Sequence, residues 1–357
     1  MNLSVIIPTL NEEAWLPRLL ADLQRQQEVT LEVIVADGGS TDRTLDACRP
    51  YEPIIVSAPR GRARQLNAGF KASTGENLLF LHADSRIEDP YLLRNALRRW
   101  ESVISTAGSD AVAGHFPLKF VRSGTGNAMS FRYMEGKTHF NRVNTTNGDQ
   151  GFLLKRSFFE KLGGFDEGQE FLEDQKLAEK IRRHGIWITL PGRLLTSGRR
   201  FEAEGVHRRY TFMSMIMALH TTGRMEFFDR AKKIYASQGE TGHLRLKPYF
   251  KAVATMFIKD LGFFRSFAAW FYIGRYIRQN SWQMFYFFDV LLGTHERTGR
   301  YPLLAFHDTC FWPLTDNSLC DAITAMVSFV WFMLVLAPYY TVVDSLWPEG
   351  CRIDPVA

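Results

Sequence analysis

Val33-Ile34-Val35-Ala36-Asp37-Gly38-Gly39-Ser40-Thr41-Asp42 passes from an unbroken apolar run to a polar loop that opens on a carboxylate. The run is too short for a helix and shows no apolar-polar alternation, so it reads as a strand buried on both faces, the habit of parallel sheets. It occupies residues 31–35, and runs of the same kind occupy 3–7, 54–56 and 78–81. Between them the spacing turns helical: Trp15, Leu16, Leu19, Leu20 and Leu23, then Leu45 and its neighbours behind Ser40 or Thr41 as N-cap, then Ala63, Leu66, Ala68 and Phe70. Strand and helix alternating at this pace predict an α/β fold, a doubly wound, mostly parallel sheet covered on both faces.

After residue 100 the alternation loosens. Strands are expected at 111–115 and 151–154, helices at about 156–162 and 172–183, and two short strands, 187–190 and 194–196, flank the turn signal Pro191-Gly192. From about residue 207 strand signals vanish, and helical spacing carries Phe257, Phe263, Phe264, Phe267, Trp270 and Phe271 interleaved with Lys and Arg. The chain thus divides into an α/β domain over 1–205, a basic, aromatic-rich helical region over 206–300, and a tail over 301–357 holding the 22 uncharged residues 322–343.

At 357 residues, 46% hydrophobic and 23% charged, with a mean hydropathy of −0.16, the chain can bury a core and is neither disordered nor a many-spanning transporter. Its net charge of +5 is too mild to argue for nucleic acid. The charge is unevenly spread: residues 207–300 carry 15 Lys and Arg against six acids, which leaves the rest of the chain mildly acidic. A basic, aromatic-rich region suits a membrane surface or a polyanionic partner. The four cysteines form no C-x-x-C pair and are too scattered for a disulfide framework, so a reducing compartment is expected. The start of the chain reads as strand rather than as a signal peptide.

Ligands of open parallel sheets bind beyond the carboxyl ends of the strands. There the chain places Pro8-Thr9-Leu10-Asn11-Glu12-Glu13, Asp37-Gly38-Gly39-Ser40-Thr41-Asp42 and His82-Ala83-Asp84-Ser85. Three acidic-polar loops at one sheet edge suit a site that holds hydrogen-bond donors, a divalent cation, or both. Acids in such loops also cap helices, but Asp37 and Asp84 directly follow apolar strands, where a carboxylate needs a partner. No G-x-G-x-x-G follows the first strand and no G-x-x-x-x-G-K-[ST] occurs, so neither a dinucleotide fold nor a P-loop is supported.

With Gly61-Arg62-Ala63-Arg64-Gln65-Leu66-Asn67-Ala68-Gly69, Phe80-Leu81-His82-Ala83-Asp84, Gly148-Asp149-Gln150-Gly151 and Leu172-Glu173-Asp174, these stretches resemble family 2 glycosyltransferases of the glycosyltransferase A fold. The chain looks closest to the small bacterial subgroup with G-R-A-x-Q-x-N-A-G and F-L-H-A-D motifs. The resemblance covers roughly the first 205 residues. It implies that Pro8, Thr9, Asn11, Glu12, Asp37, Gly38 and Gly39 line a nucleotide pocket, with Asp37 accepting from the base, uracil in the case of a UDP-sugar donor. Arg62, Arg64 and Asn67 match positions near the nucleotide and its diphosphate, where guanidinium forks pair well with phosphate oxygens. His82 and Asp84 match an aspartate pair that binds a divalent cation, Mn2+ or Mg2+. Here an imidazole replaces the first carboxylate, which leaves the choice of metal open.

By the same resemblance Asp174 is the general base of an inverting sugar transfer, supported by Glu173, with Asp149 and Gln150 on the acceptor side. The pair Glu173-Asp174 opens a helix whose apolar side carries Leu177 and Ile181, so the helix N-terminus favours the carboxylate. Arg199 and Arg200 follow the last strand, as late diphosphate-binding motifs do in relatives. The stretch 322–343 is long enough to cross about 30 Å of hydrocarbon, and Trp331, Tyr339, Tyr340 and Trp347 add interfacial aromatics. The same stretch also suits a monotopic hairpin or a buried helix, and the aromatics before it the core of a plain helical subdomain; if it spans, the basic region on its N-terminal flank places the N-terminal domain on the cytoplasmic side of an inner membrane and implies an amphiphilic hydroxyl or carboxyl acceptor. Two rivals differ in class. A sugar nucleotidyltransferase needs a Gly-rich basic loop after the first strand, and Pro8 to Glu12 has the wrong chemistry. A non-catalytic membrane-bound nucleotide-sugar binding protein would bind donor without turnover.

Overall fold

The structure is a computed structural model that describes residues 2–124, 126–168, 172–223, 225–238 and 244–346. Trp347 and Arg352 lie outside the described residues. Two compact units are present, residues 1–124 with 131–198, and 125–130 with 199–357, so the boundary falls at Gly198, seven residues before the expected one.

In the first unit the strands β1 (Asn2–Thr9), β2 (Thr30–Asp37), β3 (Ile54–Ser57), β4 (Asn77–Phe80), β5 (Ser85–Arg86), β6 (Val112–His115), β7 (Leu118–Val121), β8 (Phe152–Lys155), β9 (Ile186–Thr189) and β10 (Leu194–Ser197) form two sheets. Seven of them make the main sheet in the order β3-β2-β1-β4-β8-β6-β9. It is parallel except at β8, which runs against both its neighbours β4 and β6. A fold of doubly wound, mostly parallel type is what the apolar runs predicted.

The strands alternate their side chains between two cores. Leu3, Val5, Ile7, Val35 and Leu79 pack with the helices Leu16–Gln24 and Leu92–Ala107 on one face. Ile6, Ile34, Leu78, Phe80 and Phe152 pack on the other face with the helices Arg62–Ala72, Arg156–Lys161 and Glu173–His184. Leu177 and Ile181 are buried there, at 1% and 0% exposure, as their spacing required. Each fully buried side chain of this size contributes about 1.5–3 kcal/mol.

Two local readings differ. The helix expected behind Ser40 or Thr41 starts only at Thr44, because Ser40 is drawn back to Asp37 and Asp42 accepts from the Thr44 amide at 3.0 Å instead. A second, three-stranded sheet, β5-β10-β7, has no counterpart in the predicted strands beyond β10. Its short members alternate apolar and charged residues too briefly to register: Leu118 is buried while Lys119 is exposed.

The second unit is helical, as the loss of strand signals implied. Its main helices are Val206–His220, Met225–Gln238, Lys247–Thr255, Gly262–Gln279, Trp282–Leu291 and a 29-residue helix from Ser318 to Leu346. This last helix contains 322–343 and is long and apolar enough to cross a membrane, by length and composition.

Candidate active site

Parallel strands β1, β2 and β4 all end at one edge of the main sheet. Because β8 runs the other way, the loop before it, Gly148-Asp149-Gln150-Gly151, starts at that same edge, where Phe152 faces Phe80. The antiparallel strand therefore brings the loop after β4 and the loop before β8 together, 67 residues apart in the chain: His82 Nδ1 lies 2.5 Å from Asp149 Oδ1.

The first two polar loops are sewn to each other. Asp37, 5% exposed, accepts from the amides of Gly39 at 2.9 Å and Ser40 at 3.0 Å and from the Ser40 hydroxyl at 2.5 Å. Ser40 Oγ accepts from the Asn11 amide at 2.9 Å, and Asn11 Oδ1 accepts from the Thr41 amide at 2.8 Å. Asn11 adopts φ 55°, a conformation that Asn tolerates better than most residues. The Glu12 amide donates to Thr44 Oγ1 at 2.8 Å, and Pro8 sits beside Ala36 in the β1–β2 register. Asp37 thus shapes the loop in which it sits, and its partners include Gly39, one of the two glycines singled out in the sequence.

Below these loops lies a residue that sequence reasoning passed over. Gln65 is 4% exposed and donates from Nε2 to Thr9 O at 2.7 Å and to Ala36 O at 3.0 Å, so one amide satisfies the ends of both strands. Gly38 passes directly over it: a Cβ there would come within 2.9 Å of the Gln65 amide. In the sequence Gln65 stands only as part of the Gly61–Gly69 motif, with no role of its own. Its one signal is its place between the buried Ala63 and Leu66.

The helix Glu173–His184 supplies the charged centre. Asp174 Oδ2 accepts from the Gly148 amide at 2.6 Å and Oδ1 from the Gln175 amide at 2.8 Å. Glu173, 2% exposed, accepts from Arg62 Nη1 at 2.8 Å. Burial, then the adjacent Glu173 carboxylate, push the Asp174 carboxyl above its ordinary value, against the pull of Arg62, the Gly148 amide and His82. Burial also works against the Arg62 cation, but Glu173, Asp174 and Asp149 outweigh it and hold it firmly charged. Arg62, His82, Gly148, Glu173 and Asp174 line one pocket, whose floor is Leu66, Phe80, Phe152 and Phe165. That apolar floor was not anticipated; desolvation by such a floor raises a carboxylate's proton affinity.

The remaining expected residues have internal duties. Gln150 is fully buried: its Oε1 accepts from the Asn147 amide at 2.9 Å, and its Nε2 donates to His115 Nδ1 at 2.8 Å. His115, pushed down to about 4 by burial, stays neutral and accepts there. Gln150 therefore holds the shape of the Gly148 loop, whereas Asp149 is 43% exposed at its tip. Asn67 donates to Phe165 O and Glu167 Oε1, both at 2.9 Å, and accepts from the Phe165 amide, so its side chain anchors the 165–167 loop. Arg64 is exposed, and Arg199 and Arg200 open the helix Arg199–Glu204 of the second unit.

For a divalent cation the fit is partial. Among the described residues no three His, Cys, Asp or Glu side chains gather closely enough to cage one. His82 directs Nδ1 to Asp149, and its Nε2 lies 2.8 Å from where a Gly148 Cβ would stand. Asp84, in the turn closed by Ser85 N donating to His82 O at 3.1 Å, is half-buried, so a cation here would draw most of its ligands from a bound diphosphate and water.

Residues 4–163 match the family described as glycosyl transferase family 2. A PGL/p-HBAD biosynthesis glycosyltransferase of Mycobacterium bovis BCG is 40% identical over 91 residues, 24% of this chain and 36% of its own length. An uncharacterised glycosyltransferase of Haemophilus influenzae is 35% identical over 190 residues, 50% of this chain and 61% of its own. The chain thus spans about a third of the mycobacterial relative. Among solved structures, Staphylococcus aureus TarS 1-349 in complex with UDP is 18% identical, with a TM-score of 0.44 over 84% of this chain and 92% of that one.

Proposed function

From the membership of residues 4–163 in glycosyl transferase family 2, whose glycosyltransferase A fold the main sheet displays, we propose that the protein is an inverting glycosyltransferase. It takes a sugar from a nucleotide-sugar donor, UDP-linked by preference, and passes it to a hydroxyl or carboxyl group of an amphiphilic acceptor at the cytoplasmic face of a membrane. The observation that carries this reading is Asp174: a carboxylate at a helix N-terminus, raised in proton affinity, lining a pocket beside Glu173, Arg62 and His82.

In this reading the loops of Pro8, Thr9, Asn11, Glu12, Asp37, Gly38 and Gly39 hold the nucleotide, and the rigid Asp37–Ser40–Asn11 network supports them without rearrangement. Asp174 takes the proton from the acceptor hydroxyl as that oxygen attacks the anomeric carbon. Its pull on a proton grows with its burial, and the Gly148 amide and Arg62 act against that rise. Glu173 holds Arg62, whose charge faces the acidic cluster and stands ready for a phosphate. Asp149, at the exposed tip of its loop, meets the acceptor, and Arg199 and Arg200 are basic groups for the diphosphate. Asp84, with His82 beside it, would hold a divalent cation, which would supply charge neutralisation for the diphosphate.

Thermal-shift screening of UDP-, GDP- and dTDP-sugars with Mn2+ and Mg2+, followed by donor hydrolysis assays on those that bind, tests the reading. Stabilisation by one nucleotide-sugar class with slow release of its nucleotide supports it. No stabilisation by any donor under either cation contradicts it.

A further inference from the structure

The helix Ser318–Leu346 touches its own unit along one narrow stripe. Asp321, Ala325, Tyr340 and Asp344 are its buried positions. Both ends of the stripe are carboxylates held by arginine. Asp321 accepts from Arg278 Nε at 2.5 Å and Arg275 Nε at 2.9 Å, while Asp344 accepts from Arg208 and, at 2.7 Å each, from the amides of Leu246 and Lys247. At the helical rise these carboxylates stand roughly 35 Å apart, against a bilayer hydrocarbon core of about 30 Å. Between them lies the uncharged stretch 322–343.

A second helix runs antiparallel along the first part of that stretch. In Gly262–Gln279 the late residues Arg275 and Arg278 meet Asp321, Gly274 meets Ala325, and the earlier Trp270 meets Phe329 and Phe332 with ring centroids 5.2 and 5.7 Å apart. The approach is close: a Cβ on Gly274 would fall 2.5 Å from the Ala325 amide nitrogen. Small residues permit such contact between helices in lipid. Arg278 is only 5% exposed, so without Asp321 its charge would lack its closest buried counter-ion.

Outward, both helices are apolar. Phe263, Phe264 and Phe267 are 80%, 85% and 68% exposed, and Met326, Val330 and Leu334 on the partner helix are 63%, 46% and 72% exposed. Exposed positions run round most of the circumference of the Ser318–Leu346 helix, more than the single face a docked protein would cover. Arg265 is exposed among these rings, and its long stem would have to carry the guanidinium towards the headgroups.

We infer that the helices Gly262–Gln279 and Ser318–Leu346 enter a phospholipid bilayer together, as an antiparallel pair locked by Arg278 and Asp321, with Phe263, Phe264 and Phe267 among the acyl chains. The long apolar helix is then not an independent anchor. This rests on the membrane reading of the proposed function. Full-length protein is incubated with vesicles of phosphatidylcholine and phosphatidylglycerol and floated on a density gradient, beside a triple variant Phe263→Ser, Phe264→Ser, Phe267→Ser. These side chains are exposed, so the variant folds, which circular dichroism checks. The wild type floats, and the variant loses about tenfold or more in vesicle partitioning although its long apolar helix is unchanged. A variant that floats as well as the wild type overturns the pairing alone. A wild type that stays with the soluble fraction overturns the membrane reading and this inference with it.

Discussion

The Gly148 amide donates to Asp174 Oδ2 at 2.6 Å, and that one bond ties the loop before β8 to the first turn of the helix Glu173–His184. A side chain at 148 would crowd it. A Cβ there would stand 2.8 Å from His82 Nε2 and 3.2 Å from Asp174 Oδ2, so one of the two must move. Gly148→Ala is expected to lower kcat about 10- to 100-fold with little change in donor KM, because misplacement of the base costs rate rather than donor affinity. Steady-state kinetics on the donor found by screening check this.

Arg62 lies between two assignments, a phosphate ligand and the counter-ion of the acidic pair. As counter-ion it lowers the proton affinity of Asp174, so Arg62→Ala leaves that carboxyl still more reluctant to ionise. The acid limb of the pH profile then moves to higher pH: activity falls most at the acid end and recovers as pH rises. A rate profile of wild type, Arg62→Ala and Arg62→Lys reads this, with Lys restoring the limb. A rise in donor KM with an unshifted limb would leave the phosphate role alone.

Gln65 makes its case through stability. Gln65→Leu leaves the carbonyls of Thr9 and Ala36 without their side-chain donor at the closed edge of the sheet. Each lost bond to a buried group costs about 1–2 kcal/mol, so chemical denaturation is expected to show a loss of about 2–4 kcal/mol. Donor affinity falls as well, since the nucleotide loops rest on the same amide.

Asp84→Ala is expected to abolish the cation-dependent part of donor binding. Titration of the donor with and without Mn2+ measures it: the wild type binds more tightly with the cation, and the variant shows no difference. An unchanged cation effect would move the site elsewhere.

The main sheet could be read from sequence because parallel strands buried on both faces appear as solid apolar runs, and the acids directly behind them mark its ligand edge. Asp37 and Asp84 stood out for that reason, and Asp174 through the resemblance and its place in the first turn of a helix. The direction of β8 was not, since a buried run reads the same either way; yet that reversal is what sets Asp149 against His82. Buried amides that serve backbone groups look merely polar in sequence: Gln65 drew no role of its own there, and Gln150, matched to the acceptor side, also holds the shape of the Gly148 loop. The ion pairs Arg278–Asp321 and Arg208–Asp344 join residues 43 and 136 positions apart, and no periodicity could have matched them.

The most direct test replaces the proposed base, Asp174. Asp174→Asn keeps the shape of the side chain and removes its charge, so nucleotide release from the donor with acceptor present, measured beside donor binding, separates chemistry from recognition. The account predicts unchanged donor affinity and a loss of turnover of about a thousandfold or more. Turnover that survives in Asp174→Asn would contradict the account at its centre.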